Sequence, residues 1–322
     1  MATVTAKHLI AVALAGVILV SGSSQLTAST SAVIVHPDSS LRLSVLQDQA
    51  FPALRILLPG QIESCRGIEV EFPEHVWGRH RTTNEIERLY LRYPGSEEQA
   101  GQAPPEYQWR VDGEVVSYEM NLRETVTMKA EARLESDGVR FVYEFTNLSD
   151  NGYQELQAVT CVQLRSVFSD LYLERTYVYH DWGFDLLASE TPLRLRMPRD
   201  EWLPCRYLVP YTWPVKPEGE RVEVREDGAT IYHKSRRVAA PLLATVSRDG
   251  GWLAATYTER SGNIWSNPEL TCHHADPSVE LGPRETKRVE LKTYVIRGGF
   301  DELLSRIAGD FGSVEGHAAP PN

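Results

Sequence analysis

Thr125-Val126-Thr127-Met128-Lys129-Ala130-Glu131-Ala132-Arg133-Leu134, the turn residues Ser136-Asp137-Gly138, and Val139-Arg140-Phe141-Val142-Tyr143-Glu144-Phe145 decide the fold. Val126, Met128, Ala130, Ala132 and Leu134 fall on one side of an extended chain. Thr127, Lys129, Glu131 and Arg133 fall on the other. Alternation with period two puts apolar groups on one sheet face and charges in water. The two runs around Asp137-Gly138 therefore predict a β-hairpin.

The same pattern recurs outward from this hairpin. Leu41 to Val45, Gly67 to Phe72, Arg88 to Tyr93, Leu193 to Arg196, Arg221 to Val224 and Arg288 to Val295 each predict a strand. Turns are marked by Asp112-Gly113, Asp227-Gly228 and Asp249-Gly250-Gly251. One helical pattern appears, from Phe300 to Phe311, where Leu303, Leu304, Ile307 and Phe311 recur at helical spacing after Gly298-Gly299. Many short strands and one late helix give an all-β, antiparallel sandwich or barrel with a short C-terminal helix. Gly95 to Pro105 and the Pro- and aromatic-rich Met197 to Glu220 read as long loops. No interior linker divides the chain, so residues 31–312 read as a single domain followed by a disordered tail at 313–322.

Composition narrows the function. The 322 residues are 42% hydrophobic and 24% charged, which excludes a disordered chain. The 33 basic and 44 acidic residues give a net charge of -11, with no Lys/Arg run, so no nucleic-acid partner is expected. Lys7, the apolar run Leu9 to Val20 and the small residues from Ser21 to Ala32 have the layout of a secretory signal peptide over residues 1–30. That run falls short of the roughly 20 residues a membrane span needs. The expectation is a periplasmic or extracellular protein, cleaved between Ser24 and Ala32, with no integral span afterwards. Cys65, Cys161, Cys205 and Cys272 are widely spaced and form no C-x-x-C. Outside the cytoplasm they could form two disulfides in any of three connectivities; the alternative is buried thiols serving as small apolar groups.

Phosphate-loop, dinucleotide, H-E-x-x-H, EF-hand and G-x-S-x-G motifs are absent from the sequence. Four clusters remain. His75 to Arg81 gathers Trp77, Arg79, His80 and Arg81, suited to hold an anion or a sugar ring, or else a solvated loop with Trp77 on the core. Tyr177 to Gly183 offers His180 beside Trp182 at a turn, either an acid/base histidine or a surface one. Trp265 to Pro277 carries Cys272, His273 and His274. If this segment is extended, Cys272 and His274 face one way and His273 the other. A metal could then take the first two, but no spaced partner is visible in sequence, so neither metal nor cofactor is expected. The loop from Met197 to Glu220 supplies Trp213 as a candidate cleft wall.

Val142-Tyr143-Glu144-Phe145-Thr146-Asn147-Leu148-Ser149-Asp150 resembles the V-x-Y-x-V-T-N-x-S-D strand and turn of galactose mutarotase-like proteins. Asn267 to Pro277, Leu281 to Thr286 and the strand from Arg288 are similar to that family's closing segment. The resemblance implies an antiparallel β-supersandwich that binds sugars in a cleft across one sheet. It also implies proton transfer by a histidine and a glutamate. The chain departs from the pattern: Cys161-Val162-Gln163 replaces the G-x-H, and His273 and His274 stand where the C-x-E-P glutamate belongs. No catalytic glutamate is carried over. The expectation is a secreted carbohydrate-binding protein, with His180, His273 and His274 as acid/base candidates and Trp77, Arg79, His80, Trp182, Trp213 and Trp265 as sugar contacts. The alternatives are a non-catalytic glycan-binding or envelope module, and a lyase on acidic glycans using Arg79 or Arg81.

Overall fold

Val33–Val35 (β1), Arg42–Val45 (β2), Ala53–Leu57 (β3), Ile68–His80 (β4), Ile86–Leu91 (β5), Arg110–Asp112 (β6), Val115–Leu122 (β7), Val126–Glu135 (β8), Gly138–Asn147 (β9) and Tyr153–Leu164 (β10) are the strands of the first half of the chain. Thr176–His180 (β11), Gly183–Leu186 (β12), Arg206–Tyr211 (β13), Arg221–Val224 (β14), Ala229–His233 (β15), Leu242–Val246 (β16), Leu253–Thr258 (β17), Ser261–Ser266 (β18), Cys272–Leu281 (β19) and Thr286–Ile296 (β20) follow, and helix Phe300–Phe311 (α1) closes the order. The computed structural model describes residues 32–47, 49, 51–62, 64–92, 106–188, 206–211, 221–224, 229–233, 238–266 and 270–314; the strands at 206–211, 221–224 and 229–233 are described by backbone alone.

The strands form two sheets. Eleven strands run β1-β2-β3-β4-β10-β19-β18-β13-β15-β14, with β5 also on β4. Nine run β12-β11-β16-β17-β20-β9-β8-β7-β6. Neighbours are antiparallel except β13 and β15. The hairpin forms as the alternation requires: Val126 pairs with Asn147 and Glu135 with Gly138, around the two-residue turn Ser136-Asp137. Met128, Ala130, Ala132, Phe141, Tyr143 and Phe145 are buried. Phe72 reaches across from the larger sheet, with ring centroids 5.0 Å from Phe141 and 4.8 Å from Tyr143. Aromatic burial of this size holds two sheets face to face.

Helix α1 occupies the stretch the spacing predicts. Asp301 and Glu302 lie in its first turn, where the helix dipole favours negative charge. Leu303 and Ile307 are buried, and Gly312 at φ 83 donates its N–H to Ala308 O at 2.9 Å, ending the helix.

Two loop expectations change. His75 to Arg81 is not a loop as far as residue 80: β4 runs unbroken to His80, because β5 and β10 pair along both of its edges. Its charged side chains as far as His80 occupy sheet positions, and only Arg81 begins an exposed turn. Strand β13 lies inside the expected loop from Met197 to Glu220. The expected strand at 193–196, the loop at 95–105, Trp213, Cys205, residues 1–30 and the tail from 315 onward lie outside the described residues. No helix among the described residues is long and apolar enough to cross a membrane.

Candidate functional site

Strand β10 lies between β4 and β19, so these three strands place their side chains in adjacent rows. Val162 pairs with His273 and Gln163 with Cys272. Alternation then divides β19. His273 turns inward toward the smaller sheet, and its Nε2 lies 2.8 Å from Thr245 Oγ1 on β16. Burial and the nearby His274 lower its pKa to about 3, so the ring is neutral near pH 7. Replacing Thr245 with Val removes the hydroxyl that faces this buried ring. The expected loss is about 1–3 kcal/mol in urea unfolding, the usual cost of stranding a buried polar group.

Cys272, His274 and Asp276 turn the other way. The His274 ring stacks on Trp265, with centroids 3.6 Å apart and planes 8° apart. Its Nδ1 lies 3.2 Å from Asp276 Oδ1, which also accepts the Thr160 N–H at 2.9 Å. Oriented to satisfy both ends of its amide, Asn263 donates to Asp276 Oδ2 and accepts from Trp265 Nε1, each at 2.9 Å. Burial works against a charged His274, but the Asp276 carboxylate and the neighbouring Cys161 outweigh it and hold its pKa well above the ordinary value. Cys161, Cys272 and His274 each present one ligand atom, all within 4.8 Å of one another, and all three residues are buried. Glu71, Glu74 and Cys161 satisfy the same condition. The Cys272 thiol and burial push Cys161 well up, and Cys65, Cys161 and Cys272 are all free thiols.

A second constellation sits at the far end of β4. His80 Nε2 lies 3.1 Å from Glu87 Oε2, which accepts the Tyr153 hydroxyl at 2.8 Å. The His80 and Tyr153 rings are 4.9 Å apart. Burial and Glu87 raise the Tyr153 pKa, so the phenol keeps its proton. His80 and Glu87 line an open pocket of about 640 Å³ together with Glu85, Ile86, Arg88 and Arg123, and the buried Tyr153 holds Glu87 from behind.

The other sequence candidates are spread out. Trp77 is half-buried on β4, opposite Gln157 on β10. Arg79 donates to Asn84 O at 3.3 Å, and Arg81 pairs with Glu280 at 2.6 Å. His180 is buried in the smaller sheet at the end of β11, stacked 4.4 Å from the 61%-exposed Trp182. His274 and Trp265 are brought together, and His80 stands in a pocket. His180 belongs to the other sheet, and His273 faces the intersheet core. Sequence reading missed Glu87, Tyr153, Arg88, Arg123, Glu74, Asp276 and the placement of Cys161. The only local signal among these was Asp276, two residues beyond His274 on the same strand face.

No family model matches the chain, and no curated protein matches it. Solved structures do. The Slr1438 protein from Synechocystis sp. PCC 6803 is similar at 12% identity and TM-score 0.45, over 84% of this chain and 96% of that one. A galactose mutarotase related enzyme from Lactobacillus acidophilus is similar at 10% and 0.43, over 83% and 97%. The alpha-N-acetylgalactosaminidase NagBb from Bifidobacterium bifidum, in complex with GalNAc, is similar at 12% and 0.46, over 86% of this chain but 39% of that one. The two-sheet architecture itself rests on the strand pairing.

Proposed function

We propose that the chain is an exported carbohydrate-binding protein whose saccharide site is the pocket at the end of β4, with His80 moving a proton on the bound sugar. The carrying observation is the His80–Glu87 pair lining an open pocket of about 640 Å³, with the buried Tyr153 hydroxyl bonded to Glu87. Glu87 orients the imidazole, and the protonated phenol fixes Glu87, the support an acid/base group needs. Glu85 accepts hydrogen bonds, Arg88 and Arg123 donate them, and Ile86 supplies apolar contact, a mixture suited to hydroxyls on a sugar ring. The sequence resemblance over Val142 to Asp150 supports the same ligand class.

The test is a glycan array probed with the mature protein and with His80→Ala and Glu87→Gln. Binding should weaken at least tenfold in either variant, about 1.4 kcal/mol, with the circular dichroism spectrum unchanged. Equal binding by all three proteins removes the pocket from consideration. The two arginines also favour a second reading, a lyase on acidic glycans: a uronate carboxylate held by Arg88 or Arg123 would make the adjacent C–H acidic enough for His80 to abstract its proton, the glycosidic C–O bond at the next carbon breaking as the double bond forms and the departing oxygen taking up a proton. Rising ultraviolet absorbance from unsaturated products over a uronate panel identifies it; a flat trace rejects it. For export, the expected N-terminus of the processed protein lies between residues 25 and 32, read by N-terminal sequencing.

A further inference from the structure

We infer that Cys161, Cys272 and His274 form a binding site for a zinc-class metal ion, with Glu74 as fourth ligand and Asp276 orienting the histidine. This goes beyond the sugar pocket and does not depend on it. It also answers the sequence expectation of no metal: Cys272 and His274 share a strand face, and the missing partner comes from β10, not from nearby sequence.

Two thiols and one imidazole within 4.8 Å make a soft donor set, the kind that selects zinc or copper(I) over magnesium or calcium. Tetrahedral zinc with Zn–S near 2.3 Å and Zn–N near 2.0 Å sets ligand atoms roughly 3.3–3.8 Å apart, so a small inward shift closes the set. Glu74 Oε2 lies 4.0 Å from His274 Nε2, and a Glu74 carboxylate oxygen also lies within 4.8 Å of the Cys161 sulfur, which makes Glu74 the nearest carboxylate shared by both ligands.

A second observation points to a ligand independently. His274 Nε2 is buried and has no hydrogen-bond partner, although the ring is fully enclosed. An orphaned buried nitrogen costs free energy unless something meets it. Its other nitrogen already faces Asp276, the carboxylate–histidine arrangement that presents Nε2 to a metal. Glu71 Oε2 is a second buried oxygen without a partner, next to Glu74 and Cys161, while its Oε1 is held by Arg92 and Gln163. Trp265, stacked on the imidazole, fixes the ring plane.

The reduced full-length mature protein is equilibrated with Zn²⁺ alone, desalted and assayed by elemental mass spectrometry. The expected result is one zinc per chain. Substituting Co²⁺ in the unaltered protein should give near-ultraviolet sulfur-to-cobalt absorption together with visible bands of tetrahedral intensity, a readout that needs no variant to fold. Cys161→Ser and Cys272→Ser should each weaken competition against a chromophoric chelator at least 100-fold. Asp276→Asn should weaken it about 10–100-fold. Substoichiometric zinc in folded, reduced protein, cobalt spectra without sulfur bands, or a Cys161–Cys272 disulfide peptide in the exported protein overturns the assignment.

Discussion

Replacing Lys292 with Ala will cost about 3–5 kcal/mol, the usual loss when one member of a buried charge cluster is removed. Lys292 is 1% exposed on β20, and its ammonium lies 2.7 Å from Glu135, 2.8 Å from Asp137 and 2.7 Å from Asp310. Arg140 shares Glu135 and Asp310, and Arg306 shares Asp137. These cations soften the loss but leave three carboxylates crowded around a hole. Lys292→Met restores the aliphatic stem without the charge. It should recover only the packing part, if the ammonium is what holds the hairpin turn, β20 and α1 together. Urea midpoints for both variants decide it: losses under about 0.5 kcal/mol, the range of an ordinary surface substitution, would show the cluster to be ornamental.

The same cluster sets a pH profile. Burial lowers the Lys292 pKa, but hydrogen bonds to Asp137, Asp310 and Glu135 outweigh it and leave the folded value above the ordinary one. A raised folded value gives stability that is present below the unfolded pKa, near 10.4, and is lost as pH climbs through the folded one. Asp310 goes the other way. Burial raises its pKa, but Lys292 and Tyr294 outweigh that, so its stabilisation is present above about pH 3.9 and fades as pH falls through the lower folded value. The cluster's contribution to stability, read as the difference between the unaltered protein and Lys292→Ala, should therefore be flat between these limits and fall beyond both. The deficit of Lys292→Ala should shrink below about pH 4, as the crowded carboxylates take up protons.

How much of this was legible in sequence follows from the range of each interaction. The hairpin at 125–145 and the helix at 300–311 are local, and periodicity alone placed them. The division of Cys272 and His274 from His273 was legible too, since it needs only strand alternation. The seven residues from His75 to Arg81 misled because charge density reads as solvent exposure. Strands β5 and β10, remote in sequence, pair along both edges of β4 as far as Arg79 and His80 and make it a strand instead. Cys161 stands 111 positions before Cys272, and the register that joins their rows is fixed only when β10 lies between β4 and β19. His80 was legible as a reactive residue. Its partners Glu87 and Tyr153 come from two other strands, and no spacing rule connects them.

Gly138→Ala will be the costliest small substitution in the hairpin. Gly138 has φ 155, a conformation open to glycine and strained for other residues. A methyl group there would lie 2.1 Å from Thr293 O and 2.9 Å from Tyr294 Cα. Both are backbone atoms of β20, which pairs with β9 at this point through Tyr294 and Gly138. No side-chain rotation relieves such a contact, so β20 must move. It is tied nearby by the Val295 N–H donated to Asp137 O at 2.7 Å, and by Lys292 on the Asp137 carboxylate. Overpacking of about 1–3 kcal/mol adds to backbone strain of about 1–3 kcal/mol, so the expected loss is about 4 kcal/mol. Gly113→Ala is the control. Gly113 has φ 57 in the turn before β7, and nothing lies within 4 Å of an added methyl group. That variant pays for a left-handed residue alone, about 1–2 kcal/mol. If urea unfolding gives the two variants equal losses, close approach of β20 is not what fixes glycine at position 138, and the Asp-Gly signal in the sequence reports turn geometry only.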